Sequence, residues 1–158
     1  MEPIIYLNFN GDCLEAMTHY ADVLGGTVGG VFRNADAPSP ENRMPGGDDL
    51  VLNMMINLGN SMVMASDCPE GGCADAAYRE PTGFAVAIDP GSITEFERVF
   101  MRLAEGARKV QMAPQETFWA DRFAMFTDRF GTPWMLNHPG SKMPGNGQQD
   151  AANGAPDA

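Results

Sequence analysis

Positive charge is scarce in this chain: ten Lys plus Arg stand against 21 Asp plus Glu, a formal net charge of −11 over 158 residues. A field of that sign repels phosphate backbones and anionic bilayers, so neither nucleic acid nor a membrane is expected as a partner. No run reaches the roughly 18 apolar residues of a spanning helix, and the opening MEPIIYLNFNGD lacks the basic and apolar regions of a secretory signal, which points to the cytoplasm. Neither GxxxxGKS, GxxxxGKT nor GxGxxG occurs, so no recognisable phosphate cradle is present. Cysteines are few and odd in number, which a disulfide framework does not favour. Cys68 and Cys73 share the loop DCPEGGCAD, where a local disulfide or half a metal site is conceivable, but free thiols are the expectation. Of the two histidines, His19 is expected to be solvated on a helix surface, and His138 to end a strand. No GxSxG elbow supports a hydrolase triad.

What the chain does contain is order. PIIYLNF reads as a strand, and NGDCLEAMTHYADVLGG as an amphipathic helix near 12–24 ending at Gly-Gly. TVGGVF is a weak strand, RNADAPSPENRMPGGDD a polar and mobile loop, and LVLNMMINLGNSMVMASD a hairpin turning at Leu58-Gly59-Asn60. The order then begins again with the strand TGFAVAID, a helix near 92–105 capped by Ser92 or Thr94, the strand RKVQMA, and a hairpin across RFG. One such half cannot bury both its helix and its sheet, so two halves, or halves of two chains, must pair. The segment 140–158 has no apolar periodicity and reads as a disordered tail.

EAMTHYADVLGG, MASDCPEG, GFAVAI and PQETFWADRFAMFTDRFGTPWMLN, taken in order over residues 3–138, resemble the PhnB-like branch of the glyoxalase/bleomycin-resistance/dioxygenase (vicinal oxygen chelate) superfamily. The resemblance implies an α+β fold: two paired βαβββ modules with curled mixed sheets. They form a single domain over 1–139, module one about 3–67 and module two about 82–138. It also implies a homodimer with small-molecule pockets in the cups. Carrying the metal-ligand positions of metal-dependent members onto this chain gives Ile5, Met64, Phe84 and Met135, none of them a hard-metal ligand. A slip of two along a strand would reach Ser66 or Asn137.

The implied function is therefore a small-molecule binder or enzyme with no cofactor, its cup lined by Met54, Met62, Met64, Met125 and Met135. The alternative is a divalent-metal lyase, isomerase or dioxygenase of the glyoxalase type; a third possibility is an antibiotic-sequestering protein. The stretch from 114 to 137 supplies the remaining candidates. In one reading Gln115, Glu116, Trp119 and Arg122 meet a ligand, together with Met64, Phe84 and Met135. In the other, Glu116 and Arg122, or Asp121 and Arg129, form ion pairs that pin a loop to the sheet. No catalytic residue is assigned.

Overall fold

The computed structural model describes residues 3–69 and 78–142. In chain order, Ile5–Phe9 (β1), Cys13–Leu24 (α1), Thr27–Arg33 (β2), Val51–Leu58 (β3) and Ser61–Asp67 (β4) form the first half. Val86–Ile88 (β5), Ile93–Leu103 (α2), Lys109–Gln115 (β6), Arg122–Thr127 (β7) and Pro133–His138 (β8) form the second. Each half has one four-stranded sheet, in the orders β1-β4-β3-β2 and β5-β8-β7-β6, and the two sheets do not close on each other. The pairs β1–β4 and β5–β8 are parallel and the rest antiparallel, so both sheets are mixed. This is the doubled βαβββ, α+β arrangement expected from the sequence.

Local chemistry sets the element ends. Gly25, at φ 72°, stops α1 in a left-handed conformation that a side chain would strain. The Oγ of Ser92 accepts from the Glu95 backbone N–H at 3.1 Å and caps α2. Gly59, at φ 59°, turns the β3–β4 hairpin. β5 is shorter than the strand pattern of 82–89, covering only Val86–Ile88. The loop after β2, expected to be mobile, is organised around Asn34. Its buried amide donates to the Met44 and Gly47 carbonyls at 2.9 and 3.1 Å and accepts from Met44 N–H at 2.9 Å.

Alternation gives each sheet a buried face and an open one. Leu7, Phe9, Met54, Ile56, Val63 and Ala65 turn toward α1, whose Ala16, Met17, Tyr20 and Val23 they cover. Val86, Ala124, Phe126, Trp134 and Leu136 turn toward the Phe96, Val99 and Leu103 stripe of α2. The helices also touch each other, so the two halves share one core.

Polar ties reinforce that junction. Arg102 pairs with Asp22 at 2.5 Å, and Arg98 donates to the Val23 carbonyl at 2.9 Å. His19, expected to be solvated, is half-buried and donates from Nε2 to the Arg102 carbonyl at 3.1 Å, because the helix–helix contact covers its side of α1. Arg129 pairs with Glu15 at 3.3 Å and lies 4.6 Å from the Phe130 ring centre, not with Asp121.

The densest tie centres on Asp128, only 1% exposed. Its Oδ1 accepts from the Phe130 and Thr132 backbone N–H groups, each at 2.9 Å, which shapes the β7–β8 turn. Its Oδ2 accepts from Tyr20 Oη at 2.6 Å and Trp134 Nε1 at 2.8 Å, joining α1 to the second sheet. Asp67 does a comparable job in the first half: Gly11 and Cys13 N–H bond to Oδ1 at 2.9 and 3.0 Å, and Val51 N–H to Oδ2 at 2.8 Å. Contrary to the free-thiol expectation, Cys68 is disulfide-bonded, while Cys13 is free and fully buried; Cys73 and most of the tail lie outside the described residues.

Candidate functional site

The open faces of the two sheets carry matching rows. On the first, Tyr6 lies opposite Met64 and Met64 opposite Met55. On the second, Ala87 lies opposite Met135 and Met135 opposite Met125. Strand for strand these rows are equivalent, so Met64 and Met135, both half-buried, occupy corresponding positions. One step along each face the pattern becomes polar. Ser66 donates to Asn8 Oδ1 at 3.3 Å on the first sheet, and Asn137 Nδ2 to Asp89 Oδ1 at 3.4 Å on the second.

The register corrects the carry-over of metal positions. Ile5 lies opposite Val63 and belongs to the helix-facing side, so the residue sharing a face with Met64 is Tyr6. Phe84 precedes β5, and the residue sharing a face with Met135 is Ala87; a short β5 displaced the reading. Met54 is fully buried under α1 and forms core instead of a cup wall. The four equivalent positions thus offer a phenol, two thioethers and a methyl group. This donor set does not fit a hard divalent cation. Among the described residues no group of three or more His, Cys, Asp or Glu is arranged to hold a metal ion.

The other candidates separate. Arg122 points to the α2 side, where its Nε and Nη2 meet Glu97 Oε1 at 2.6 and 2.5 Å. Glu116 pairs with Lys142, whose Nζ also donates to the Thr117 carbonyl at 2.7 Å. Asp121 accepts from the Ser141 N–H at 3.0 Å. These polar groups clasp the loop between β6 and β7 to the chain leaving β8, and the structure does not bring Glu116 and Arg122 together.

Gln115 and Trp119 remain near the open face. Gln115 lies opposite Phe123, and Phe123 opposite Asn137. The Trp119 and Phe123 rings meet edge to face at 5.3 Å, and Trp119 meets Phe118 at 4.7 Å. Phe118 is 89% exposed, so the clasped loop holds an aromatic pair out toward solvent. Phe84 lines a separate cavity of about 320 Å³ with Lys109, Gln111 and Met125, at the opposite end of the same sheet.

Sequence reasoning missed one atom. Asn137 Oδ1 is buried and has no hydrogen-bond partner among the described residues. Exchanging the amide oxygen and nitrogen would leave a buried N–H unpaired and set two oxygens together across the Asp89 contact, so either orientation leaves a polar group open. Its signal lay in the slip that reached Asn137, but Asp89 as its neighbour was not legible.

Other potential nucleophiles are held protonated. Burial first, then the adjacent Asp128 carboxylate, pushes the Tyr20 phenol far above its ordinary range. Burial likewise pushes up the Cys13 thiol, with Asp67 and Asp12 adding to the effect. Both therefore serve as packed donors or fillers and not as attacking groups. His138 Nδ1 donates to the Pro90 carbonyl at 2.8 Å, which fixes its tautomer and holds the α2 approach to β8.

The model of the Glyoxalase/Bleomycin resistance protein/Dioxygenase superfamily matches residues 6–136. Protein YjdN of Escherichia coli is 35% identical over 141 residues, covering 84% of this chain and 91% of that protein. The crystal structure of protein PA1353 from Pseudomonas aeruginosa superposes with a TM-score of 0.76 at 37% identity, covering 87% of this chain and 97% of the other. The PhnB protein from Bacillus cereus shares the fold, with a TM-score of 0.71 at 19% identity over 87% and 99% of the two chains. With the doubled βαβββ order, its registers and these matches agreeing along nearly the whole described chain, the protein belongs to the glyoxalase/bleomycin resistance protein/dioxygenase superfamily.

Proposed function

We propose that the open sheet faces bind a small organic molecule without a metal ion, its apolar body against the methionine rows and a hydrogen-bond donor toward Asn137 and Asp89. The observation that carries this reading is the unpartnered Asn137 Oδ1 beside the Asp89 carboxylate, next to thioethers and an exposed indole. Thioethers adapt to irregular apolar shapes, and a buried acceptor gains most from a donor that satisfies it. An amine with a compact aromatic or alkyl body meets both conditions, and the negative field of the chain favours its cationic form.

The cup needs a second wall, which a second copy of the chain supplies in this reading. Among the described strands, β1 and β5 each pair on one side only, and Ile4, Tyr6 and Phe84, on or beside them, are 48, 46 and 50% exposed. Apolar edges of this kind call for cover. A homodimer that sets sheet one of one chain against sheet two of the other provides it.

The test is a titration of the protein with phenethylamine, followed through Trp119 emission and assigned with Trp119→Phe. Saturable binding that Asn137→Leu weakens supports the reading. No saturable change counts against it. Elemental analysis that finds about one divalent ion per chain, retained after dialysis, would instead favour a metal-dependent enzyme.

A further inference from the structure

On the other side of β1 and β5, where the two halves meet, lies a partly enclosed cavity of about 290 Å³. Leu7, Ile56 and Val63 wall it from the first sheet, and Val86, Ile88 and Trp134 from the second. Tyr20 and Leu24 of α1 also contribute, and the exposed residues Ile5, Ser61 and Ala87 mark its mouth. We propose that this cavity is a second binding site, taking a compact hydrocarbon guest: a monocyclic aromatic or short alkyl compound with at most one hydroxyl.

Three observations define that class. The volume is roughly twice that of an apolar cavity of about 150 Å³ that accepts benzene, so a single ring with a short substituent fits. The polar atoms of the wall are already engaged: Tyr20 Oη and Trp134 Nε1 both end on Asp128 Oδ2 and offer the cavity only their ring surfaces. Among the described residues the remaining polar side chain of the lining is Ser61, at the mouth, which suits one terminal hydroxyl and nothing more. A charged group inside would lose its hydration with no partner, so an ammonium is rejected here. This site therefore differs in chemistry from the open faces, and does not rest on the proposal made for them.

Toluene and phenethylammonium make the distinguishing pair of probes. In methyl-detected NMR of the intact protein, toluene is expected to shift the Ile5, Leu7, Ile56, Val63 and Ile88 methyl signals saturably and to raise the unfolding temperature. It should leave Met125 and Met135 unmoved, and phenethylammonium should not reproduce the cavity shifts. Val63→Phe, which fills the cavity from the helix-facing side of β4, is expected to weaken toluene binding at least about tenfold. The proposal is overturned by the absence of saturable shifts up to the solubility of toluene, by shifts confined to the open-face methionines, or by equal occupancy with the ammonium probe. A crystal structure of a dimer in which a partner side chain fills the cavity overturns it too. If Val63→Phe does not fold, the two probes on the wild-type chain decide the matter alone.

Discussion

Replacing Asp128 by asparagine tests the junction of the two halves with almost no change of shape. The carboxylate accepts four hydrogen bonds, two on each oxygen, and is buried. An asparagine that keeps its carbonyl oxygen on the Phe130 and Thr132 N–H groups turns its amide N–H₂ toward Tyr20 and Trp134. The Tyr20 hydroxyl can rotate to accept; the Trp134 N–H cannot, and loses its acceptor. One buried donor left unpaired costs about 1–3 kcal/mol, and the loss of charge assistance in the surviving bonds adds about 1 kcal/mol. The expected destabilisation is therefore about 2–4 kcal/mol, a large share of the 5–15 kcal/mol typical of a domain, with a fall in Tm of roughly 5–15 °C. Urea unfolding followed by tryptophan emission measures it, since Trp134 is buried beside the substitution. In the Asp128→Asn background, Trp134→Phe should cost less than in the wild type, because the donor it removes is already unpaired. A change below about 0.5 kcal/mol, or strict additivity of the two substitutions, refutes the reasoning.

Arg122→Met removes the pair with Glu97, both side chains about one third exposed, and should lower stability by about 1 kcal/mol without altering phenethylamine binding. Weakened binding at unchanged stability would return Arg122 to the ligand site. Asp12 has its carboxyl raised above the ordinary 3.8 chiefly by burial, with repulsion from Asp67 adding to it. A raised folded-state value contributes stability at acid pH that is lost as pH rises through it. Asp12→Asn should therefore be more stable than the wild type at neutral pH, the advantage vanishing in acid; a pH-independent difference would contradict this. Light scattering across micromolar concentrations should give twice the chain mass, and a monomer mass throughout would remove the second wall of the proposed cup.

The fold was legible because its signals are local. Gly25 and Ser92 mark helix ends, Leu58-Gly59-Asn60 marks a hairpin, and Phe96, Val99 and Leu103 recur at helical spacing. The site was less legible because its geometry depends on register and on partners far along the chain. Placing Ile5 beside Met64 is an error of one residue, and in a strand one residue is a change of face. Strand alternation sets Arg122 on the side of Ala124 and Phe126, yet nothing local to it names Glu97, 25 residues earlier. His19 looked exposed because its cover, Arg102, lies 83 residues away.

The tie between Tyr20 and Asp128 spans 108 residues, which bears on how the chain emerges during synthesis. The first half leaves the ribosome with one side of Tyr20 still lacking Phe130 and Trp134. It must wait for nearly the entire second half before that ring is covered and its hydroxyl meets an acceptor. Long-range closure of this kind leaves apolar surface of the early half exposed for longer, and it ties completion of the first module to arrival of the last hairpin.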